Sequence, residues 1–71
     1  SGGTDPAETV HDVVVEAMQS EGDADGIERD ALLDHVSEEY GASEAAIEEA
    51  IQDALLGGRC FESGDDRLKP I

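Results

Sequence analysis

The stretch Ser43–Ile71, SEAAIEEAIQDALLGGRCFESGDDRLKPI, decides the fold. Ile47, Ala50, Ile51, Ala54 and Leu55 recur at three- and four-residue spacing and form one apolar arc of a helix. Ser43 stands just before that arc, where its hydroxyl can accept a hydrogen bond from an orphan amide of the first turn. Gly57-Gly58 follows the arc and supplies the left-handed residue that commonly ends a helix. Arg59-Cys60-Phe61-Glu62 and Arg67-Leu68-Lys69 then read as two short strands around Ser63-Gly64-Asp65-Asp66. The stretch is a helix running into a hairpin.

Upstream, Asp5-Pro6-Ala7-Glu8 is a helix start, with Asp as cap, Pro at the first helical position and Glu three residues after the cap. The first helix is expected to run to about Ser20 on a stripe of Val10, Val13, Val14, Ala17 and Met18. Val13-Val14-Val15 has strand propensity, but the flanking 3.6-residue pattern outvotes it. Val15 points away from the stripe and is expected to be partly exposed. Met18 reads as a core filler. Glu21 to Gly26 resembles the first half of a calcium loop, but Leu32 stands where the pattern requires a bidentate Glu, so the segment reads as a solvated acidic turn. Ile27 is expected to form a one- or two-residue strand that joins the hairpin. A second helix spans about Glu28 to Tyr40, with Leu32, Leu33, Val36 and Tyr40 inward, and Gly41 ends it. Gly41-Ala42-Ser43 is then a tight turn into the third helix. The fold class this predicts is mainly α with a small β wing: a winged helix-turn-helix of three helices plus a short antiparallel hairpin, over residues 5–71. Residues 1–4, opening Ser1-Gly2-Gly3, read as a linker or an expression scar.

Seventy-one residues make one small domain with no room for a cleft between domains. Such a chain is expected to be stable by only about 3–5 kcal/mol. Hydrophobic residues make up 38% of it, enough for a core despite the charge. The single Cys60 cannot form an internal disulfide, which fits a reducing cytoplasm. No apolar run approaches the ~20 residues of a membrane span. As an isolated domain it is expected to be monomeric and cytoplasmic. The balance is 19 acids against 4 bases, a formal −15. Repulsion at that density opposes the compact state unless salt screens it. Acids spread over nearly every exposed face, with Lys at only one of the four basic positions, resemble the composition of proteins from salt-loving archaea.

The exposed face of the third helix carries Glu44, Glu48, Glu49, Gln52 and Asp53, and no Lys or Arg. A helix that reads the major groove brings cations to phosphates; this one would repel them. Arg59, Arg67 and Lys69 lie near the hairpin, but Glu62, Asp65 and Asp66 are interleaved with them and nearly cancel their field. Strand-edge charges that discourage aggregation are the favoured reading of those bases. Cys60 and Leu68 are expected inward. Phe61 alternates outward and is expected to be half exposed, and Leu56 lies off the third helix's stripe, so these two are the candidate apolar contacts.

No catalytic set stands out. His11 and His35 are expected on exposed helix sides beside acids, as solvated residues. Two His and one Cys at these separations match no zinc spacing. No carboxylate pair looks desolvated enough for acid–base work. Neither an enzyme, a metal nor a cofactor is expected.

Gly26-Ile27, Leu32, Val36, Ile47, Ile51, Leu55, Gly58, Cys60-Phe61 and Asp65-Asp66-Arg67-Leu68-Lys69 together resemble the C-terminal winged helix of the replication protein A family. The likeness is greatest to its middle subunit and to archaeal family proteins, and it covers about Val10 to Ile71. The C-terminal winged helix of the archaeal replicative helicase MCM is similar in its wing. The resemblance implies a protein-interaction module of a DNA replication and repair single-strand-binding complex, which itself binds DNA weakly or not at all. It implies docking of replication or repair proteins, as short basic amphipathic helices, through the wing. Carried across, the partner-binding positions are Phe61, Glu62, Asp65, Asp66 and Ile71, beside the candidate contact Leu56. Phe61 replaces the family's Tyr, and Gly57 stands where eukaryotic members carry an acid. The alternative is a DNA-binding winged helix, in a transcription regulator or a helicase tail.

Overall fold

A computed structural model describes residues 6–71, with side chains from residue 10 onward. The linker expected over residues 1–4 and the Asp5 cap lie outside the described residues, as does the side chain of Glu8. The element order is α1 (Pro6–Glu21), β1 (Ile27–Glu28), α2 (Arg29–Tyr40), α3 (Glu44–Leu56), β2 (Cys60–Gly64) and β3 (Arg67–Pro70). The three strands form an antiparallel sheet in the order β1-β3-β2. Three helices with a helix-turn-helix at α2–α3 and a β-hairpin wing make a winged helix, as the spacing predicts.

The core is apolar throughout. Met18, Leu32, Ile47, Ile51, Leu68, Val14 and Val36 are fully buried, with Ala50, Ala54 and Cys60 filling between them. The α3 arc is buried as expected, with Leu55 packed at its margin. Val15 differs from expectation. It is only 8% exposed. α1 packs on α2, on α3 and on β3 at once, so its neighbours cover an arc wider than a single stripe. Tyr40 differs in the opposite sense, at 55% exposed. It is the last residue of α2, and its ring lines a shallow groove with Val13, Ala17 and Ser20 of α1 instead of entering the core. There the hydroxyl keeps its contact with water.

The element ends follow the chemistry of their residues. The Ser43 hydroxyl accepts from the Ala46 amide at 3.2 Å and caps α3. Gly41 closes α2 in the left-handed conformation, φ 67°. At the end of α3, Gly57 stays right-handed and Gly58 supplies the positive φ of 73°. The Arg59 amide donates to Ala54 O at 2.9 Å and the Gly58 amide to Leu55 O at 3.3 Å. Those two bonds form a Schellman motif, which turns the chain from α3 directly into β2.

Ile27 pairs with Leu68, so β1 joins the hairpin as expected. The wing itself is longer and its turn tighter than expected. β2 continues to Gly64, with an irregularity between Glu62 and Gly64, and only Asp65-Asp66 turn. Asp66 takes φ 55°, which Asp tolerates better than most side chains. The bulge aims Ser63 at the acidic turn, and its hydroxyl donates to Asp25 O at 2.7 Å. Pro70 is accommodated in β3 because β1 pairs only Arg67 and Leu68, leaving that side of residue 70 without a ladder.

The acidic turn is closed on itself and lies close against the wing. Asp23 and Gly26 exchange backbone bonds of 3.0 and 3.3 Å, and the Asp25 amide donates to the Asp23 carboxylate at 2.9 Å. Gly26 has φ 93°, and a Cβ there would stand 2.5 Å from Leu68 O. Only glycine lets the turn lie this close to the sheet.

Candidate functional site

The exposed face of α3 is acidic in three dimensions as well as in sequence. Glu44, Glu49, Gln52 and Asp53 are exposed, and Glu48 is partly so. The nearest cation comes from the first residue of α2. Arg29 donates from Nε and from a terminal guanidinium nitrogen to Glu48 Oε1, at 3.0 and 2.8 Å. Its own backbone amide donates to Asp66 O at 2.7 Å. One residue therefore joins α2, α3 and the wing turn. The pair is 19 residues apart and has no local signature, so sequence reasoning gave Arg29 no role.

The other two arginines are also engaged within the fold. Arg59 lies 3.4 Å from Asp12 on α1, and Arg67 lies 3.7 Å from Glu28 on β1. Both pairs are largely exposed and contribute little stability. They nevertheless place each guanidinium beside a carboxylate of the same chain. Among the described residues Lys69 makes no ion pair.

His11 differs from the solvated residue expected. Its Nε2 lies 3.1 Å from an Asp53 carboxylate oxygen, joining α1 to α3. His35 is partly buried in the α1–α2 groove with Glu39 and Tyr40. Burial raises the Cys60 thiol above its ordinary value of 9.0, and neighbouring Arg59 offsets part of that rise. A buried thiol of this kind behaves as a small hydrophobe. Among the described residues no group of three or more His, Cys, Asp or Glu side chains is placed to hold a metal ion. No helix there is long and apolar enough to cross a membrane.

The sequence-derived contact residues divide into three places. Phe61 (44% exposed) pairs across the hairpin with Lys69, and Cys60 and Leu68 beside them point into the core. Phe61 and Lys69 therefore lie on the outer face of the sheet. Ile71 (77% exposed) is held in register by its amide, which donates to Arg59 O at 3.1 Å. Alternation puts it on the same face, diagonal to Phe61. Glu62 sits opposite Leu68 and so faces the other side, exposed because the wing projects past the core. Asp65 and Asp66 form the exposed turn at its tip. Leu56 (79% exposed) ends α3. Phe61 and Ile71 are thus brought together, whereas Glu62, the turn acids and Leu56 are not part of that patch. Lys69 belongs to the patch and was missed. The period-two alternation that put Leu68 inward and Phe61 outward was the signal for it.

Comparison with models of protein families, with curated proteins and with solved structures gives no match for this chain.

Proposed function

We propose that this domain is a protein-interaction module of a DNA replication or repair single-strand-binding protein, of the replication protein A type, in a salt-adapted archaeal version. It recruits partner proteins through its wing. The observation that carries this reading is the α3 face: Glu44, Glu49 and Asp53 are exposed on it with no Lys or Arg of the helix itself, and Arg29, which reaches it from α2, is bound to Glu48. A helix so furnished repels a phosphate backbone, while the half-exposed Phe61 offers an apolar anchor on the wing. The family assignment rests on the sequence resemblance, and the salt adaptation on the charge composition.

The test is a titration of the isotope-labelled domain with replication and repair proteins of a haloarchaeon. It is run near 2 M KCl, where the Debye length falls below about 3 Å and nonspecific charge effects are suppressed. Saturable shifts at Phe61, Glu62, Asp65 or Ile71 support the reading. Saturable duplex binding through α3 or Arg67, weakening with salt, overturns it in favour of a DNA-binding winged helix.

A further inference from the structure

The outer face of the wing sheet has a character unlike the rest of the surface. Glu28 and Arg67 are paired across β1 and β3, Phe61 and Lys69 across β2 and β3, with Ile71 diagonal to Phe61. Of these residues two are cations and one is an anion, in a chain of formal charge −15; Arg59, opposite Ile71, is engaged with Asp12. Arg67 is engaged with Glu28, while Lys69 has no carboxylate within ion-pair distance among the described residues. Opposite residues of an antiparallel pair have Cβ atoms about 5 Å apart, so Lys69 and Phe61 are immediate neighbours on that face. Tyr40, by contrast, lines a groove with Glu16, Glu21 and Glu39. Phe61 sits beside an unmatched cation.

We propose that this face docks a protein segment that brings an apolar side chain to Phe61 and Ile71 and a carboxylate to Lys69. The inference rests on the protein-interaction reading and deepens it. It also reverses the charge of the basic helices that the family resemblance implies. A lysine- or arginine-bearing segment would meet Lys69 and Arg67 at this face, and like charges held close in a docked interface oppose binding. A segment with a carboxylate gains a contact that nothing within the described chain supplies. The net charge repels such a segment at long range, and salt removes that repulsion while leaving contacts at van der Waals distance. Docking is therefore strengthened by salt, opposite to the usual behaviour of a charge-assisted interface.

Two designed helical peptides test this. Both carry the same leucine stripe, with glutamates on the flanking positions of one and lysines on those of the other. A single-stranded oligothymidine is the third probe. Each is titrated into the labelled domain at low and at molar KCl. The expected result is saturable shifts of Phe61, Lys69 and Ile71 by the glutamate peptide, tighter in molar salt. Lys69→Glu is expected to turn the preference toward the lysine peptide by about fivefold, a size normal for an exposed charge contact. Phe61→Ala is expected to weaken binding about tenfold with the fold intact by its amide spectrum. Preference of the wild-type domain for the lysine peptide on these residues overturns the inference but leaves the interaction reading standing. Binding of neither peptide overturns it, as does an unchanged preference in Lys69→Glu. Saturable oligothymidine binding at Phe61 and Lys69, with neither peptide bound, overturns both readings.

Discussion

Arg29 and Glu48, on different helices, share a single carboxylate oxygen: Oε1 of Glu48 accepts from two guanidinium nitrogens at 2.8 and 3.0 Å. The backbone of the same arginine holds the wing turn through Asp66 O. The side-chain bonds fix the start of α2 against α3, and the backbone bond fixes the hairpin against both. Part of the acidity of α3 is thus offset from outside the helix, by a base that the offset itself occupies.

Because that pair is only partly buried, it contributes modestly. Arg29→Met is expected to lower stability by about 1 kcal/mol, or roughly 5 °C in Tm for a domain of this size. A double-mutant cycle with Glu48→Gln in urea melts reads the coupling between the two side chains. Coupling near zero would mean that the arrangement is held by the backbone bond alone.

Gly26 is the least replaceable glycine. Its φ of 93° disfavours any side chain, and a Cβ would press on Leu68 O and on the Ser63 hydroxyl. Gly26→Ala is expected to cost about 2–3 kcal/mol, a large share of the stability of so small a domain. Urea denaturation measures it. Gly41→Ala, which meets no neighbouring atom within 4 Å, carries only the backbone cost and is expected to lose less.

Burial of Cys60 makes a pH prediction. Its folded-state thiol ionises above the ordinary value of 9.0. Above that value the unfolded chain releases its proton while the folded chain retains it, so stability falls as pH rises from about 9. Below it both states hold the proton and Cys60 contributes no slope. Melts between pH 8 and 10.5, compared with Cys60→Ala, isolate the effect: the wild-type slope over the upper part of that range is expected to be the steeper. Alkylation of the thiol under native conditions is expected to be slow and to accelerate in denaturant.

The charge density makes a prediction about salt. With 19 acids and 4 bases, and three of the bases already beside acids, the remaining carboxylates repel one another. The melting temperature is expected to rise steadily from about 0.1 M to 2 M KCl as the Debye length shrinks from roughly 10 Å to under 3 Å. Flat melts across that range would count against salt adaptation.

Local chemistry made most of the architecture legible in the sequence. The Ser43 cap, the glycines after α2 and α3, the buried arc from Ile47 to Ala54 and the inward alternation of Cys60 and Leu68 each depend on residues close in the chain. Periodicity and capping report directly on such neighbours. The short strand at Ile27 was legible for the same reason, as an apolar position isolated between an acidic turn and a helix.

What the tertiary structure alone decided involves partners far apart in sequence. Val15 is buried because α1 packs on α2, α3 and β3 at once, an arc wider than the stripe that its own periodicity defines. Tyr40 is exposed because, at the last turn of α2, it lines the surface groove against α1 and not the core. The pairings of Arg29 with Glu48, His11 with Asp53 and Arg59 with Asp12 cross 19, 42 and 47 residues. In a chain where almost any base has an acid nearby, charge pattern does not say which acid it meets. Local sequence sets each element's ends and faces; only packing sets which face meets which, and therefore which charges are left over for a partner.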